Sequence, residues 1–196
     1  MEVYVESAPN IEDIKIVTHQ VFEDHRGYFM EVYRKDEFEK NGLPTNFVQQ
    51  NQSRSSKGVV RGLHFQWEPP MGKMMRVISG EAFLVAVDIR KGSPTLGQWF
   101  GTIISSENKK QLWAPAGFAR GFAVLSETAE IEYKVTGIYN KACESGIKWD
   151  DPAIGIDWPV DEPILSEKDD QAQTLEEWLE TKDSDNFKYG EKRANS

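Results

Sequence analysis

The stretch VVRGLHFQW, residues 59–67, places an arginine and a histidine in a segment that otherwise has the composition of a buried strand. Charged and titratable side chains are seldom buried unless a partner or a task compensates for the loss of water. A lone histidine is most often structural, so His64 becomes a candidate for acid–base chemistry only if other reactive residues gather around it. Arg61, on the same predicted strand, is the first of them.

Three basic residues lie in or beside predicted strands: Arg61, Lys73 and Arg120. Taken singly, each could be a long side chain that reaches the surface or an ion pair at a sheet edge. The chain carries a net charge of -9, so a group of cations in its interior predicts a bound anion. Phosphate and diphosphate are the anions that these side chains bind most readily.

The histidines do not predict a metal site. The chain contains His19, His25 and His64, and the alternate neighbours of His64 on its strand are Gly62 and Gln66, so no His-x-His pair occurs. Metal centres in β-barrels normally bring two or three imidazoles and a carboxylate together. We therefore expect neither a metal nor another cofactor.

Covalent catalysis is not indicated either. Cys143 lies alone in a Lys-Ala-Cys-Glu segment, and the sequence contains neither a Gly-x-Ser-x-Gly motif nor a glycine-rich phosphate loop. Acid–base chemistry remains. Tyr133 shares a predicted strand face with Ile131 and Val135, so its hydroxyl is expected to point into the interior, either as a reactive group or as a satisfied core hydroxyl.

The elements that must position these residues are short strands separated by turn residues, from MMRVI to EIEYKVT. In EAFLVAVDI the residues Phe83, Val85, Val87 and Ile89 share one face, which suits the inner surface of a sheet. Many short strands with little helix predict an all-β fold, a jelly-roll barrel or sandwich with a few short peripheral helices. Its interior is where a ligand is expected.

Two short helices are predicted at the periphery. Asp36 is the expected cap of a turn that ends at Gly42, and LEEWLE places Leu175, Trp178 and Leu179 on one helical face. Both helices lie outside the segments that carry the candidate reactive residues.

The domain is expected to cover residues 1–180. Residues 181–196 are charged and contain only Phe187 and Tyr189 as apolar anchors, so they predict a flexible tail. The function should therefore reside upstream of residue 181.

Composition and charge exclude several classes of function. A net charge of -9 argues against a general binder of nucleic acid or anionic membranes. No apolar run approaches the roughly 20 residues of a membrane span, and the first residues, MEVYVESAPN, do not resemble a secretory signal. The single cysteine permits no disulfide within the chain, so we expect a cytoplasmic protein.

Several segments closely resemble the dTDP-4-dehydrorhamnose 3,5-epimerase family, and the resemblance runs from about DHRGYFMEVY to LSEKD, most of the chain. It implies a cupin-like jelly roll, an isomerase of deoxysugar and L-rhamnose biosynthesis, and a dTDP-linked 4-keto-6-deoxysugar as substrate. The segments are VVRGLHFQ, GKMMRVISGEAFLVAVDIRKGSPTLGQW, SSENKKQLWAPAGFARGF, IKWDDPAIGIDWP and PILSEKD.

The resemblance also implies roles for individual residues. His64 corresponds to the catalytic base, Tyr133 to the acid, and Asp169 to the residue that orients the histidine. Lys73 and Arg61 correspond to residues that contact the substrate near its keto oxygen and its diphosphate. The other implied substrate contacts are Arg26, Glu31, Gln49, Gln50, Asn51, Glu144 and Lys168.

The family also implies a base-stacking residue and an assembly. Tyr139 corresponds to the aromatic residue that stacks on the thymine ring. Members of the family are homodimers that exchange N-terminal strands, so Arg26 is expected to reach the site of the partner.

One position departs from the family pattern. The family usually has Gly-Phe-Ala-His-Gly-Phe, and this chain has Arg120 where the histidine stands. Arginine keeps a hydrogen-bond donor in the sugar pocket, but it is longer, carries a fixed charge and cannot shuttle a proton. Either Arg120 binds the enolate oxygen more tightly, or it fits a different sugar.

The sequence therefore predicts a cofactor-independent epimerase that inverts C3 and C5 of dTDP-4-dehydro-6-deoxy-D-glucose to give dTDP-4-dehydro-L-rhamnose. A ketone at C4 acidifies the hydrogens on both carbons, because the charge left behind resides mainly on oxygen. One alternative is an epimerase of a single carbon or of another nucleotide sugar, for which Arg120 is the discriminating residue. The others are a non-catalytic sugar-nucleotide-binding cupin and a metal-dependent cupin oxygenase.

Overall fold

Two antiparallel sheets make up most of the computed structural model, which describes residues 2–190. Apart from the β1–β2 and β8–β9 pairs, adjacent strands within each sheet are not consecutive in the chain, because the chain crosses repeatedly from one sheet to the other. This arrangement confirms the predicted all-β jelly-roll fold. Within residues 2–190, no helix has the length and apolar character needed to cross a membrane.

The larger sheet has six strands in the order β1-β2-β10-β7-β12-β5, and the smaller sheet has five in the order β13-β6-β11-β8-β9. Strands β3 and β4 form a separate hairpin. The strands are β1 (Val3–Ala8), β2 (Ile11–His19), β3 (Val21–Asp24), β4 (Gly27–Met30), β5 (Gln49–Ser56), β6 (Val60–Gln66), β7 (Lys73–Ser79), β8 (Glu81–Asp88), β9 (Trp99–Ser105), β10 (Gln111–Ala114), β11 (Phe118–Val124), β12 (Thr128–Val135) and β13 (Glu144–Gly146).

The main core lies between the two sheets. Leu84 and Ala86 of β8 meet Leu112 of β10 and Ile131 of β12 there, and all four are fully buried. Because side chains alternate along a strand, every second residue of β8 enters this core. Apolar packing therefore holds the two sheets together. The polar side chains of β5, β6 and β7 lie outside this core.

The opposite face of β8 is buried as well, and this corrects the prediction about its inner surface. Val85, Val87 and Ile89, with Phe83 packed against them, belong to a second core on the outer side of the smaller sheet. Both faces of β8 are apolar, and a period of two cannot show which of two apolar faces meets the other sheet. The prediction that the Phe83 face lines the interior between the sheets is therefore wrong.

The C-terminal segment covers that second core. Helix α2 (Glu167–Asp170) and helix α3 (Leu175–Glu180) lead into a short 3₁₀ helix, Lys182–Asn186. The predicted LEEWLE helix is confirmed, with Leu175 and Trp178 buried, and a capping box between Thr174 and Glu177 begins it.

The expected flexible tail needs a correction over residues 181–190. Phe187 is 5% exposed and its ring lies 6.1 Å from that of Phe65, centroid to centroid. Its carbonyl accepts a hydrogen bond of 2.8 Å from Lys91 N. A single aromatic anchor with a paired backbone is enough to hold this stretch, although its composition is charged. Residues 191–196, the rest of the predicted tail, lie outside the described residues.

We expect Phe187→Ala to lower the free energy of unfolding by about 3 kcal/mol, because it removes a buried ring from the second core. Urea denaturation followed by tryptophan fluorescence would measure the change. Lys182→Ala, at an exposed position, is the control and should change the free energy of unfolding by less than about 0.5 kcal/mol. Equal stabilities of the Phe187 variant and the wild type would show that the tail does not support the core.

The first helix, α1, runs over Lys35–Lys40 and begins one residue before the predicted cap. Arg34 occupies the N-cap position without a side-chain cap, and Asp36 lies in the first turn, where it accepts a 2.8 Å hydrogen bond from Arg34 Nε. The predicted cap at Asp36 is therefore wrong, although the helix exists and buries Phe38. Acidic residues are favourable throughout a first turn, so residue type alone did not locate the cap.

His19 is a buried histidine with a structural role. Its Nε2 accepts a hydrogen bond of 2.6 Å from Gln111 Nε2. Burial lowers its pKa to about 4, and the positive charges of Arg76 and Lys134 act in the same direction. The folded protein therefore keeps His19 neutral at pH values where the unfolded chain protonates it.

We expect His19 to make the protein less stable as pH falls from about 6.5 to about 4, since only the unfolded state binds the proton in this window. Below about pH 4 both states are protonated and the loss stops. Carboxylates titrate in part of this range, so the measurement compares the wild type with His19→Gln. The free energy of unfolding of the variant should fall less across the window, and parallel curves would contradict the assignment.

Candidate active site

Two adjoining cavities lie between the sheets. The outer cavity, of about 410 Å³, is lined mainly by polar side chains from β5, β6, β12 and β13 and the loop that carries Tyr139. The inner cavity, of about 140 Å³, extends to Arg61, Arg120 and Phe122. His64, Lys73 and Tyr133 line both cavities and so mark the place where they meet.

A bulge in β6 brings Arg61 and His64 to the same cavity, although residues three apart on a regular strand point to opposite faces. His64 pairs with Arg120 of β11, while Arg61 pairs with Phe122, so three residues of β6 span the distance of two on β11. Both side chains line the inner cavity as a result.

The bulge depends on glycine at two facing positions. Gly62 has a φ of 134°, and a Cβ atom there would lie 2.6 Å from the Cα of Gly121. A Cβ on Gly121 would lie 2.7 Å from the carbonyl oxygen of Arg61. Any larger residue at either position would push the two strands apart.

His64 forms a pair with a buried carboxylate. Its Nε2 donates to Asp169 Oδ1 over 2.5 Å, and Ser166 Oγ donates to Asp169 Oδ2 over 2.9 Å. Burial of Asp169 favours its neutral form, but the hydrogen bonds and charge of these partners outweigh burial and hold its pKa below the usual value. With Nε2–H directed at the carboxylate, the lone pair of the imidazole is on Nδ1, so Nδ1 is the atom able to accept a proton.

Tyr133 faces His64 from the other sheet. It lies on β12 next to Ile131 of the main core, with its hydroxyl free of hydrogen bonds to residues 2–190. Burial raises its pKa, and the positive charge of Arg61 offsets only part of that rise. The phenol therefore stays protonated at neutral pH and can donate a proton to a ligand held between the sheets.

Lys73 is the basic residue that lines both cavities together with His64 and Tyr133. Its Nζ lies 5.5 Å from the centroid of the Tyr133 ring. Burial lowers its pKa to about 7, the charges of Arg120 and Lys168 act in the same direction, and Glu144 opposes them. An ammonium in this position stabilises a negative oxygen that develops beside it.

Arg120 lies at the inner end and is 2% exposed. Its guanidinium donates to the carbonyl oxygens of Pro115 at 2.8 Å and Met71 at 2.6 Å, while its Nε has no partner among the described residues. Burial lowers its pKa to about 9, which leaves it charged at pH 7. The structure thus buries a positive charge whose hydrogen-bond partners within residues 2–190 are all main-chain oxygens.

A polar cluster borders the outer cavity. Glu144 Oε1 accepts hydrogen bonds from Tyr139 Oη at 2.8 Å and from Lys168 Nζ at 2.7 Å. Gln49 accepts from the backbone N–H of Tyr139 and donates to Asn51. The ring of Tyr139 is half exposed, so one of its faces is available to a planar ligand.

Three of the predicted contact residues do not reach these cavities. Gln50 points to the other face of β5, where it lines a separate cleft, because neighbouring strand residues point in opposite directions. Arg26 is 79% exposed in the β3–β4 hairpin and pairs with Asp24, and Glu31 pairs with Arg34. The other predicted site residues line the cavities or contact a residue that does.

Several residues at the site were missed. Ser53 and Gln66 stand two positions from Asn51 and His64 on the same strands, so strand alternation could have identified them. Gln66 is buried and donates to the carbonyl oxygens of Pro69 and Ile138. Met71 lies in a loop, where no pattern in the sequence indicated that it would line the outer cavity.

Comparison with known proteins gives consistent matches over most of the chain. Residues 8–177 match the sequence profile of the dTDP-4-dehydrorhamnose 3,5-epimerases. The enzyme of that name from Shigella flexneri is 53% identical over 165 residues, which cover 83% of this chain and 91% of that protein. The one from Neisseria gonorrhoeae is 52% identical over 81% of this chain and 49% of that protein.

A solved structure agrees with the fold. The dTDP-6-deoxy-D-glucose-3,5-epimerase of Legionella pneumophila, crystallised with dTDP-4-keto-L-rhamnose, superposes with a TM-score of 0.86 at 46% identity. The superposition covers 89% of this chain and 94% of that one.

Proposed function

Because the chain belongs to the dTDP-4-dehydrorhamnose 3,5-epimerase family, whose members are isomerases of dTDP-linked sugars, we propose that it converts dTDP-4-dehydro-6-deoxy-D-glucose to dTDP-4-dehydro-L-rhamnose. The observation that carries this proposal is the position of the His64–Asp169 pair and Tyr133 on opposite sheets, with Lys73 beside them. A base and an acid on two sides of one ligand are what inversion of a carbon requires.

The first step is removal of a proton next to the C4 carbonyl. His64 Nδ1 accepts the hydrogen from C3 or C5, and the electron pair of the broken C–H bond moves toward the carbonyl oxygen. Asp169 stabilises the imidazolium that forms and keeps the ring in the required orientation. The Lys73 ammonium stabilises the oxygen that gains the charge.

The second step returns a proton on the opposite face. Tyr133 gives its hydroxyl proton to the same carbon, so a new C–H bond forms with inverted configuration. The raised pKa of Tyr133 keeps this proton in place until the carbanion forms. Both steps leave the oxidation state of the sugar unchanged, so the proposed chemistry uses no electron carrier, and Lys73 takes the role of stabilising the charge on oxygen.

The nucleotide half of the substrate fits the outer cavity. We assign Tyr139 to the thymine ring and the amides Gln49 and Asn51 of the outer cavity to the polar contacts along the diphosphate and sugar. Arg61 lines only the inner cavity, so we assign it to the part of the substrate that reaches inward past Lys73. Lys168 and Glu144 complete this surface as an ion pair. The combination of a stacking ring and cations is suited to a nucleoside diphosphate.

We propose a homodimer with exchanged N-terminal strands, in the cytoplasm. The β3–β4 hairpin exposes Phe22, Tyr28 and Phe29 and holds Arg26 away from the cavities of its own chain, which supports a role for the hairpin at a partner's site. The proposed location rests on a different residue, since the free thiol of Cys143 is compatible with a reducing compartment.

The assembly can be tested by measuring the mass of the protein in solution. Light scattering should give twice the chain mass of 22.4 kDa, and a monomer at all concentrations would refute the assembly.

Proton NMR in deuterated water with the dTDP ketosugar tests the reaction. We expect deuterium at both C3 and C5 and the product of double inversion. Deuterium at one carbon only would replace the proposal by a single-position epimerase. Saturable binding of the nucleotide sugar without any exchange would leave a non-catalytic binding protein, and would overturn the proposal.

A further inference from the structure

The inner cavity concentrates positive charge around the place where the carbonyl oxygen would lie. Arg61, Lys73, Arg120 and His64 line it, and none of its described lining residues is acidic. Building on the function proposed above, we propose that Arg120 acts on the reaction through Lys73: it makes the Lys73 ammonium a proton donor to the carbonyl oxygen, so that the intermediate is a neutral enol.

Arg120 contacts main-chain oxygens at the ends of the two strands that carry Lys73 and its pairing partner on β10. Its guanidinium donates to the carbonyl oxygen of Met71, two residues before Lys73. It also approaches the carbonyl oxygen of Ala114 at 3.4 Å, and Ala114 is the residue opposite Lys73 in the β7–β10 pairing. These contacts with main-chain oxygens hold the Arg120 guanidinium in one position relative to Lys73.

The charge of Arg120 is not neutralised by a counter-ion. Among residues 2–190 it forms no ion pair, and its Nε lacks a hydrogen-bond partner. The carbonyl oxygens that it contacts are dipoles, which solvate the guanidinium without cancelling its charge. Because Arg120 is 2% exposed, bulk solvent screens this charge less than it would screen that of an exposed arginine.

The other ionisable groups around Lys73 do not remove this effect. Glu144 favours the ammonium form, but it is already paired with Lys168, whose own charge acts in the opposite direction. Burial is the largest influence and Arg120 the next, and together they lower the pKa of Lys73 to about 7. The ionisable groups that face Lys73 are Arg61 and His64 of β6, Arg120 of β11, Tyr133 of β12, Glu144 of β13 and Lys168 of α2.

The proton transfers balance. As His64 Nδ1 takes the proton from carbon, an N–H bond of Lys73 breaks and an O–H bond forms on the sugar, which leaves an enol and a neutral amine. When Tyr133 protonates the carbon, the O–H proton returns to Lys73 and the carbonyl reforms. An ammonium that is more acidic than usual gives up its proton more readily, and at neutral pH it also recovers it.

Competitive acetylation with acetic anhydride, read by mass spectrometry at Lys73 over a pH series, tests the inference without substrate. In Arg120→Met the midpoint of Lys73 reactivity should move up by about one pH unit or more from that of the wild type. The alkaline limb of kcat should move in the same direction, since Lys73 donates only when charged. Arg54→Met, which removes an exposed arginine outside the cavities, is the control and should leave both midpoints in place.

Arg120→His is the second variant, in case Arg120→Met does not fold. An imidazole is mostly neutral above about pH 6.5, so replacing the charged guanidinium by it should also raise the pH midpoint of Lys73 acetylation. Identical midpoints in the wild type and in a folded Arg120 variant would overturn the inference, as would an alkaline limb that does not move. Failure of the proposed function is a separate result, seen as a wild-type protein that exchanges no hydrogen in the dTDP ketosugar.

Discussion

His64→Ala is expected to lower kcat by about 10³-fold, within the range of 10²–10⁴ that a positioned general base contributes. The substitution removes the only imidazole that lines the two cavities of the described chain, and the buried carboxylate of Asp169 keeps Ser166 but loses its imidazole partner. Coupled turnover of the dTDP ketosugar gives kcat, and NMR in deuterated water gives the exchange rates at C3 and C5. Both should fall together, because proton removal precedes every later step.

Binding measurements separate lost chemistry from lost structure in this variant. Calorimetry with dTDP should give nearly the wild-type affinity, since Tyr139 and the amides Gln49 and Asn51, which are assigned to the nucleotide, are retained. Added imidazole should restore part of the exchange by occupying the space that the side chain vacates. If the variant exchanged C3 and C5 hydrogens at the wild-type rate, His64 could not be the base.

Tyr133→Phe is expected to lower product formation by about 10²-fold or more while hydrogen exchange at C3 and C5 survives better. The ring remains in the core beside Ile131, so only the proton donor is lost. Without it, the carbanion collects its proton again on the side of His64, and the configuration is retained. The measurement is the ratio of deuterium incorporation to inverted product in a single NMR time course.

Tyr189→Phe is the matched control for this prediction. It also removes one phenolic hydroxyl, but from a half-exposed ring that stacks with Arg90 away from the cavities. It should leave the ratio unchanged. An equal loss of exchange and product in Tyr133→Phe would point to a role in binding rather than in proton return.

Strand patterns in the sequence predicted the fold class because alternation and turn residues are local properties. They could not tell which apolar face of β8 meets the other sheet, since Leu84 and Val85 are equally apolar and both end up buried. They also did not predict that Phe187 would be buried. How much one aromatic residue stabilises a segment depends on the core it packs into, and that core exists only in the folded chain. Tertiary packing settled both cases.

The candidate site divides in the same way. Residue types identified His64, Lys73 and Arg120 as a group, while Asp169 came only from the family motif, since one aspartate among many has no distinguishing local pattern. Strand alternation assigns Arg61 and His64 to opposite faces, and only the bulge in β6 reconciles them. A bulge arises from pairing between distant strands, so the sequence around it does not predict it.

The contact between Gly62 and Gly121 has a consequence for how such a pocket can diverge. Main-chain atoms in close approach set the separation of β6 and β11, so no choice of rotamer changes the distance between the backbones of His64 and Arg120. Under the proposed function, substrate preference can therefore change by substitution at position 120 alone. The backbone positions of His64 and residue 120 stay the same in such a substitution.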